Sequence, residues 1–357
     1  MRTGKLFGAA LSCLALACAT PDPSQEPAGQ AQRRAEEAPP PAAVPARFEP
    51  AVAYSNQHGG RVLLVIESGE SVVESGQAGA DPRAAQPLHG ASDAFWGVVA
   101  VAAEQDGILD LDELVTATLP EFSGPRGRGD ITLRQLLSFT SGLESGAGPA
   151  RGSAPNLLQL EMVTTPGERF QYGPSHLRVF AAVLSKKLAD AGMNPDPVRY
   201  LEARILDPIG APIASWARDA AGVADPGEGA SMVANHWGRF GELLLRHGLF
   251  EEREVVSPRA MEAVFQGSEA NPTFGLGLWL NRDSKRMIGA RWGGRDPAPA
   301  FYADGLSDLV VASGAGNQRL YVIPSLDTVV VRFGVPDHSF RDAELLTRLV
   351  TALKGSA

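Results

Sequence analysis

Residues 94–115 read AFWGVVAVAAEQDGILDLDELV, and the fold can be read outward from them. Phe95, Val98, Val99 and Ala102 recur at i, i+3, i+4 and i+7, the spacing of one helix face, which predicts a helix over residues 91–105. Gly107 ends it, because glycine enters the left-handed conformation of a helix terminus at little cost. Upstream, residues 61–67 and 71–75 are strand-like runs joined by Ser68-Gly69-Glu70, a hairpin signal. Downstream, residues 132–138, 176–190, 197–206 and 236–246 read as helices. Residues 309–313, 320–323 and 328–333 then read as strands, and 342–353 as a last helix. Strands near both ends with helices between them predict an α/β (α+β) fold. One antiparallel sheet is built from both termini and flanked by helices, with a mostly helical insertion.

The chain has 357 residues and is 44 % hydrophobic, enough for a large buried core. Lys and Arg number 32 against 41 Asp and Glu, a net charge of −9, and no long basic stripe interrupts the sequence, which excludes a nucleic-acid surface. Both cysteines, Cys13 and Cys18, lie in the first eighteen residues, so the rest of the chain carries no disulfide, no cysteine zinc site and no thiol nucleophile. The six histidines are scattered, with no His-Glu-x-x-His, no phosphate-binding loop and no Gly-x-Ser-x-Gly, and neither a metal nor an organic cofactor is expected.

The N-terminus reads as an export signal over residues 1–17. Arg2 and Lys5 precede the apolar run 6–17, which is too short to span a membrane. Ala15-Leu16-Ala17-Cys18 resembles a bacterial lipobox, making Cys18 the expected lipidation site and the protein a periplasm-facing membrane lipoprotein. The alternative is an ordinary cleaved signal and a secreted protein. Residues 18–47 are rich in Pro, Ala, Gln and Glu without apolar periodicity. They are expected to be a disordered tether, able to reach on the order of 90 Å when extended, ahead of a folded domain over 48–357.

Four stretches, in this order, carry a family resemblance: 94–115, ITLRQLLSFTSGLE (131–144), RFQYGPSHLRVFAAVL (169–184) and SGAGNQRLYVIPSLDTVVVRFG (313–334). From about residue 52 onward the chain resembles the serine β-lactamase-related hydrolases, which include class C β-lactamases, D-alanyl-D-alanine carboxypeptidases, esterases and nylon-oligomer hydrolases. The resemblance implies a β-lactamase/transpeptidase-like fold and acyl transfer through a serine ester. It also implies three motifs: Ser-x-x-Lys at a helix start, Tyr-x-Asn, and a Lys/His-Thr/Ser-Gly strand that binds the substrate carboxylate.

Laid on this chain, the first motif falls on Gly90-Ala91-Ser92-Asp93, so Gly90 stands at the nucleophile position and Asp93 at the lysine position. No Ser-x-x-Lys occurs elsewhere: the residues three before the five lysines are Arg2, Val183, Leu184, Arg282 and Thr351. Ser92 lies two positions beyond Gly90, turned by about 200° on a helix, and its i+3 neighbour is Phe95. It reads as a helix cap, with Asp93 as a first-turn charge favoured by the helix dipole. The second motif falls on Tyr172-Gly173-Pro174, with Tyr172 expected to line the pocket. The third falls on Ala312-Ser313-Gly314, where the cation has become Ala312 while Ser313 and Gly314 fit. Arg319 either replaces that charge in part or is a solvated strand residue, and His89 reads as a loop histidine. Trp96, Trp237, Trp279 and Trp292 are expected in the core or along the old cleft.

The expected function is therefore that of an exported β-lactamase/penicillin-binding-like protein without the dyad: a non-catalytic binding or scaffold protein of the cell envelope. Its old cleft is expected to take a peptide, a peptidoglycan fragment or a protein. The alternative is a serine hydrolase of the same group working through another nucleophile.

Overall fold

The structure is a computed structural model that describes residues 1, 43–77, 80–146, 157–282, 289–290, 301 and 305–355. Residues 2–42, which hold Cys13, Cys18 and most of the expected signal and tether segments, and Trp292 lie outside the described residues. Of the residues 18–47 expected to form a tether, only 43–47 are described. Ala46–Phe48 form a 3-10 turn, and Arg47 pairs with Glu67 at 2.5 Å.

Six strands make one antiparallel sheet: β1 (Gly60–Glu67), β2 (Glu70–Gly76), β3 (Trp279–Leu280), β4 (Val310–Gly314), β5 (Gln318–Ile323) and β6 (Thr328–Gly334). Their order is β2-β1-β6-β5-β4-β3, so the N-terminal hairpin joins the C-terminal strands, with Leu64 opposite Val331 and Ile66 opposite Val329. The pairing of sequence-distant termini is the antiparallel sheet expected from the strand pattern.

The main helices are α1 (Glu49–Gln57), α2 (Ala94–Gln105), α3 (Leu133–Leu137), α4 (Ser175–Asp190), α5 (Ala234–Leu245) and α6 (Asp342–Lys354). Both faces of the sheet are covered, which is why β1, β5 and β6 are buried along almost their whole length instead of alternating. Helix α5 covers one face, riding close because it presents glycines. A Cβ on Gly238 would lie 2.7 Å from Ile66 Cδ1, and one on Gly241 2.5 Å from Val329 Cγ1.

Helices α1 and α6 lie on the other face, over a buried polar network. Arg319 Nε donates to Asp342 Oδ1 at 2.6 Å, and Tyr321 Oη to the same oxygen at 2.7 Å. Arg332 donates to the His58 carbonyl at 2.6 Å and to Ser55 Oγ at 3.1 Å. Burial lowers the Arg332 pKa to about 10.

Helix α2 is buried on every side from Ala94 to Ala103, not on the single face that its periodicity marked. Ala94, Trp96, Gly97, Ala100, Val101 and Ala103 fill the remaining positions, and a helix apolar all round belongs inside. Gly107, at φ 72°, closes its C-terminal end as expected. Helix α3 begins with a reciprocal capping box: Thr132 Oγ1 accepts from Gln135 N at 3.2 Å, and Gln135 Oε1 accepts from Thr132 N at 3.0 Å. This short helix leads into Phe139, held at φ 57°, and so into one wall of the site.

Candidate functional site

The three mapped motifs meet at the start of α2. Residues His89–Asp93 form a 3-10 turn that runs directly into the helix. Gly314 of β4 packs against this turn so tightly that a Cβ on it would lie 2.0 Å from the Leu88 carbonyl oxygen. Glycine is required there for the strand and the turn to touch. Ala312 and Ser313 lie beside it in β4, both buried. Tyr172 reaches in from the segment that precedes α4, and its hydroxyl donates to Asp93 Oδ2 at 2.5 Å.

Gly90 is where the nucleophile of a serine hydrolase of this type would stand, and its side-chain space is already occupied. A Cβ built on Gly90 would lie 2.7 Å from Tyr172 Oη, against 3.4–4 Å for ordinary contact, with the Ser313 carbonyl oxygen 3.7 Å away. The phenol fills the space beside Gly90 and is turned toward the Asp93 carboxyl.

Asp93 is buried, and burial, the largest effect, raises its pKa well above the ordinary carboxylate value. The Tyr172 hydrogen bond pulls it down, while the carboxyl groups of Glu228 and Asp225 push it up further. The expectation of a first-turn charge favoured by the helix dipole is thus corrected. The dipole is a weak term against the cost of taking a carboxylate out of water. Ser92 is likewise no helix cap. The backbone through Asp93 is already helical, at φ −54° and ψ −33°, and Ser92 is fully buried with its Oγ 3.4 Å from the Ala230 N–H.

Arg319, weighed as a substitute cation, is neither that nor solvated. Its guanidinium is buried, and its ion pair is with Asp342 of α6. His89 is half-buried at φ 51° in the turn, in keeping with a loop role. Trp96 and Trp237 are core residues, and Trp279 stacks beside Tyr172 with ring centroids 6.2 Å apart, so it lines the site as expected. Among the described residues, no group of three His, Cys, Asp or Glu side chains is placed to hold a metal ion.

Sequence reasoning missed two features. The acids Asp225 and Glu228 face Asp93 from a loop more than 130 positions away, a proximity that no local pattern encodes. The other is a serine–histidine pair: Ser141 Oγ lies 2.7 Å from His176 Nδ1, and His176 Nε2 lies 2.7 Å from the Gln171 carbonyl oxygen. That carbonyl can only accept, so Nε2 carries the proton and Nδ1 accepts from the serine. Burial lowers the His176 pKa to about 4, which keeps the ring neutral. These are the atoms of a nucleophile and its base, yet both residues are sealed from solvent, at 0 % exposure. The ring instead stacks on Phe139, which in turn meets Tyr172 edge-on at 5.2 Å. The pair acts as a strut behind the phenol.

A family model for β-lactamases matches residues 30–352. Among solved structures, the chain is similar to a penicillin-binding protein homologue from Caulobacter crescentus, at 16 % identity and a TM-score of 0.66 over 88 % of this chain and 99 % of that one. It is also similar to a β-lactamase from Mycobacterium bovis, at 19 % identity and a TM-score of 0.55 over 82 % and 92 % of the two chains. A third likeness is to EstCE1, a hydrolase with promiscuous acyltransferase activity, at 16 % identity and a TM-score of 0.63 over 86 % and 96 %. At such identities the likeness is one of fold. No curated protein matches the sequence.

Proposed function

This chain belongs to the β-lactamase family, and on that premise we propose that it is a non-catalytic member: an exported protein of the cell envelope that binds or scaffolds through the old cleft. The observation that carries the proposal is the occupied niche at Gly90, where the Tyr172 hydroxyl sits 2.7 Å from the missing Cβ and bonds to Asp93. Serine acyl transfer needs a hydroxyl that can be deprotonated beside a base. Here the attacking position holds a hydrogen atom and the helper position a buried acid. Ser141, which does touch a base, is closed to substrate.

The ligand class proposed is a peptide, a peptidoglycan fragment or a protein partner, and the chain is proposed to reach the envelope through lipidation at Cys18. The test is covalent labelling of the full chain with a fluorescent penicillin and a fluorophosphonate, read by peptide mass spectrometry. The expected result is no adduct on any serine beyond residue 42. An adduct on Ser141 or any other serine there establishes the alternative, a working hydrolase. Loss of a metabolic palmitate label in Cys18→Ser cells tests the anchor, and a label that survives the substitution refutes it.

A further inference from the structure

A buried cation next to the old cleft has idle donors. Arg178 is the fourth residue of α4, and its side chain is 11 % exposed. Among the described residues its guanidinium makes no hydrogen bond, and its one ionic contact, from Nη2 to Asp225 Oδ2, is 3.9 Å long, beyond hydrogen-bond distance. We propose that Arg178 and the N-terminus of α4 form a receptor for a carboxylate group of the ligand. The proposal deepens the binding reading above and rests on it in one respect: it takes the cleft as a place where a ligand is held.

The donors converge on one place. A Cβ on Gly146 would lie 3.9 Å from Arg178 Nη1 and 3.9 Å from the Ser175 backbone nitrogen, so the missing side chain leaves room that both flank. Helix α4 has no side-chain cap: its N-cap is Pro174, and the Ser175 hydroxyl is turned to the Glu144 carbonyl. The Ser175 N–H therefore has no acceptor among the described residues. The positive end of a helix dipole disfavours a cation, and burying a guanidinium with unused donors adds to that cost. A bound anion offsets both and supplies the absent acceptors. Asp225 selects the anion. With its carboxylate 3.9 Å from Nη2, a phosphate dianion would meet about twice the repulsion that a carboxylate meets. A carboxylate also matches the planar fork of the guanidinium. The receptor adjoins the cleft: a Cβ on Gly173, the neighbour of Tyr172, would lie 2.3 Å from the Ser145 carbonyl oxygen, so the segments carrying Gly146 and Tyr172 are in contact.

Ligand-observed NMR titration of the full chain at low salt tests the receptor. N-acetylglycine is the carboxylate probe, N-acetylglycinamide its neutral analogue, and inorganic phosphate a competitor. The expected result is saturable binding of N-acetylglycine, none of the amide, and displacement by phosphate only at higher concentration than by unlabelled acetate. In Arg178→Gln the affinity for N-acetylglycine falls roughly tenfold or more, as loss of a charge-assisted hydrogen bond requires. In Asp225→Asn, which removes the repelling carboxylate, it rises several-fold. No binding of N-acetylglycine, equal binding of the amide, or an affinity unchanged in Arg178→Gln overturns the receptor, and tighter binding of phosphate overturns its assignment to a carboxylate. Should Arg178→Gln fail to fold, an affinity that does not rise in Asp225→Asn overturns it as well. A serine adduct in the labelling experiment would instead defeat the non-catalytic reading and leave these affinities unchanged, so the two failures are distinct.

Discussion

Adding one carbon atom at Gly90 probes the site directly. In Gly90→Ala the new Cβ lies 2.7 Å from Tyr172 Oη, about 0.7 Å short of ordinary contact. The hydroxyl must retreat, and it can do so only by stretching its 2.5 Å bond to the buried Asp93. Overpacking and disturbing a buried hydrogen bond each cost about 1–3 kcal/mol, and here they are one event, so the expected loss is about 1–3 kcal/mol in all. Tyr172→Phe alone removes the bond and costs a similar amount. In the Tyr172→Phe background, however, the nearest atoms to the new Cβ are the Ser313 carbonyl oxygen at 3.7 Å and the ring Cζ at 3.8 Å. There Gly90→Ala meets no obstacle, and the loss of glycine's backbone freedom makes it neutral to stabilising by about 0.4–1 kcal/mol. The substitution should thus change sign between the two backgrounds. Urea unfolding of the four proteins, followed by far-ultraviolet circular dichroism at one pH, closes the double-mutant cycle. Equal cost of Gly90→Ala in both backgrounds would refute the claim that the phenol fills this niche.

Two further predictions concern pH, with opposite signs. Asp93 has a folded-state pKa raised above the ordinary 3.8, so its stabilising contribution is complete below pH 3.8 and is lost as pH rises through the raised value. Asp93→Asn should therefore match the wild type near pH 3.5 and exceed it in thermal unfolding at pH 8, and a constant difference at both pH values counts against the buried neutral acid. His176 is lowered from 6.5 to about 4, so its contribution is present above pH 6.5 and is lost as pH falls toward 4, about 3 kcal/mol over that window. His176→Leu should be less stable at pH 7 yet lack this acid slope in urea midpoints. An unchanged slope would assign the titration to another group.

The strands and helices were legible because their signals are local. Residues 61–67 and 71–75, with their hairpin turn, and the valine-rich 328–333 read as strands from local pattern, and the register of the first motif is set by Phe-Trp-Gly (95–97) and Gln-Asp-Gly (105–107). That Gly90 and Asp93 occupy the positions mapped to a serine and a lysine was also legible, since identity at a mapped position needs no coordinates. What periodicity misjudged was burial: α2 was marked on one face and is enclosed on all. Arg319, read either as a partial substitute for the lost cation or as a solvated strand residue, is paired inside with Asp342. In both cases a layer contributed by a distant segment covers what the local pattern leaves open.

By itself the sequence determined the fold class and which residues, Gly90 and Asp93, stand at the positions mapped to the family's serine and lysine, because these are properties of residue identity and spacing. Only the tertiary structure decided the state of what replaced them. That Asp93 is a buried acid, that Tyr172 fills the space beside Gly90, and that Ser141 and His176 are bonded but sealed all depend on which distant groups exclude water. Solvation, and with it the charge on a carboxyl or an imidazole, is set by the three-dimensional neighbourhood and is not written at any one position of the chain.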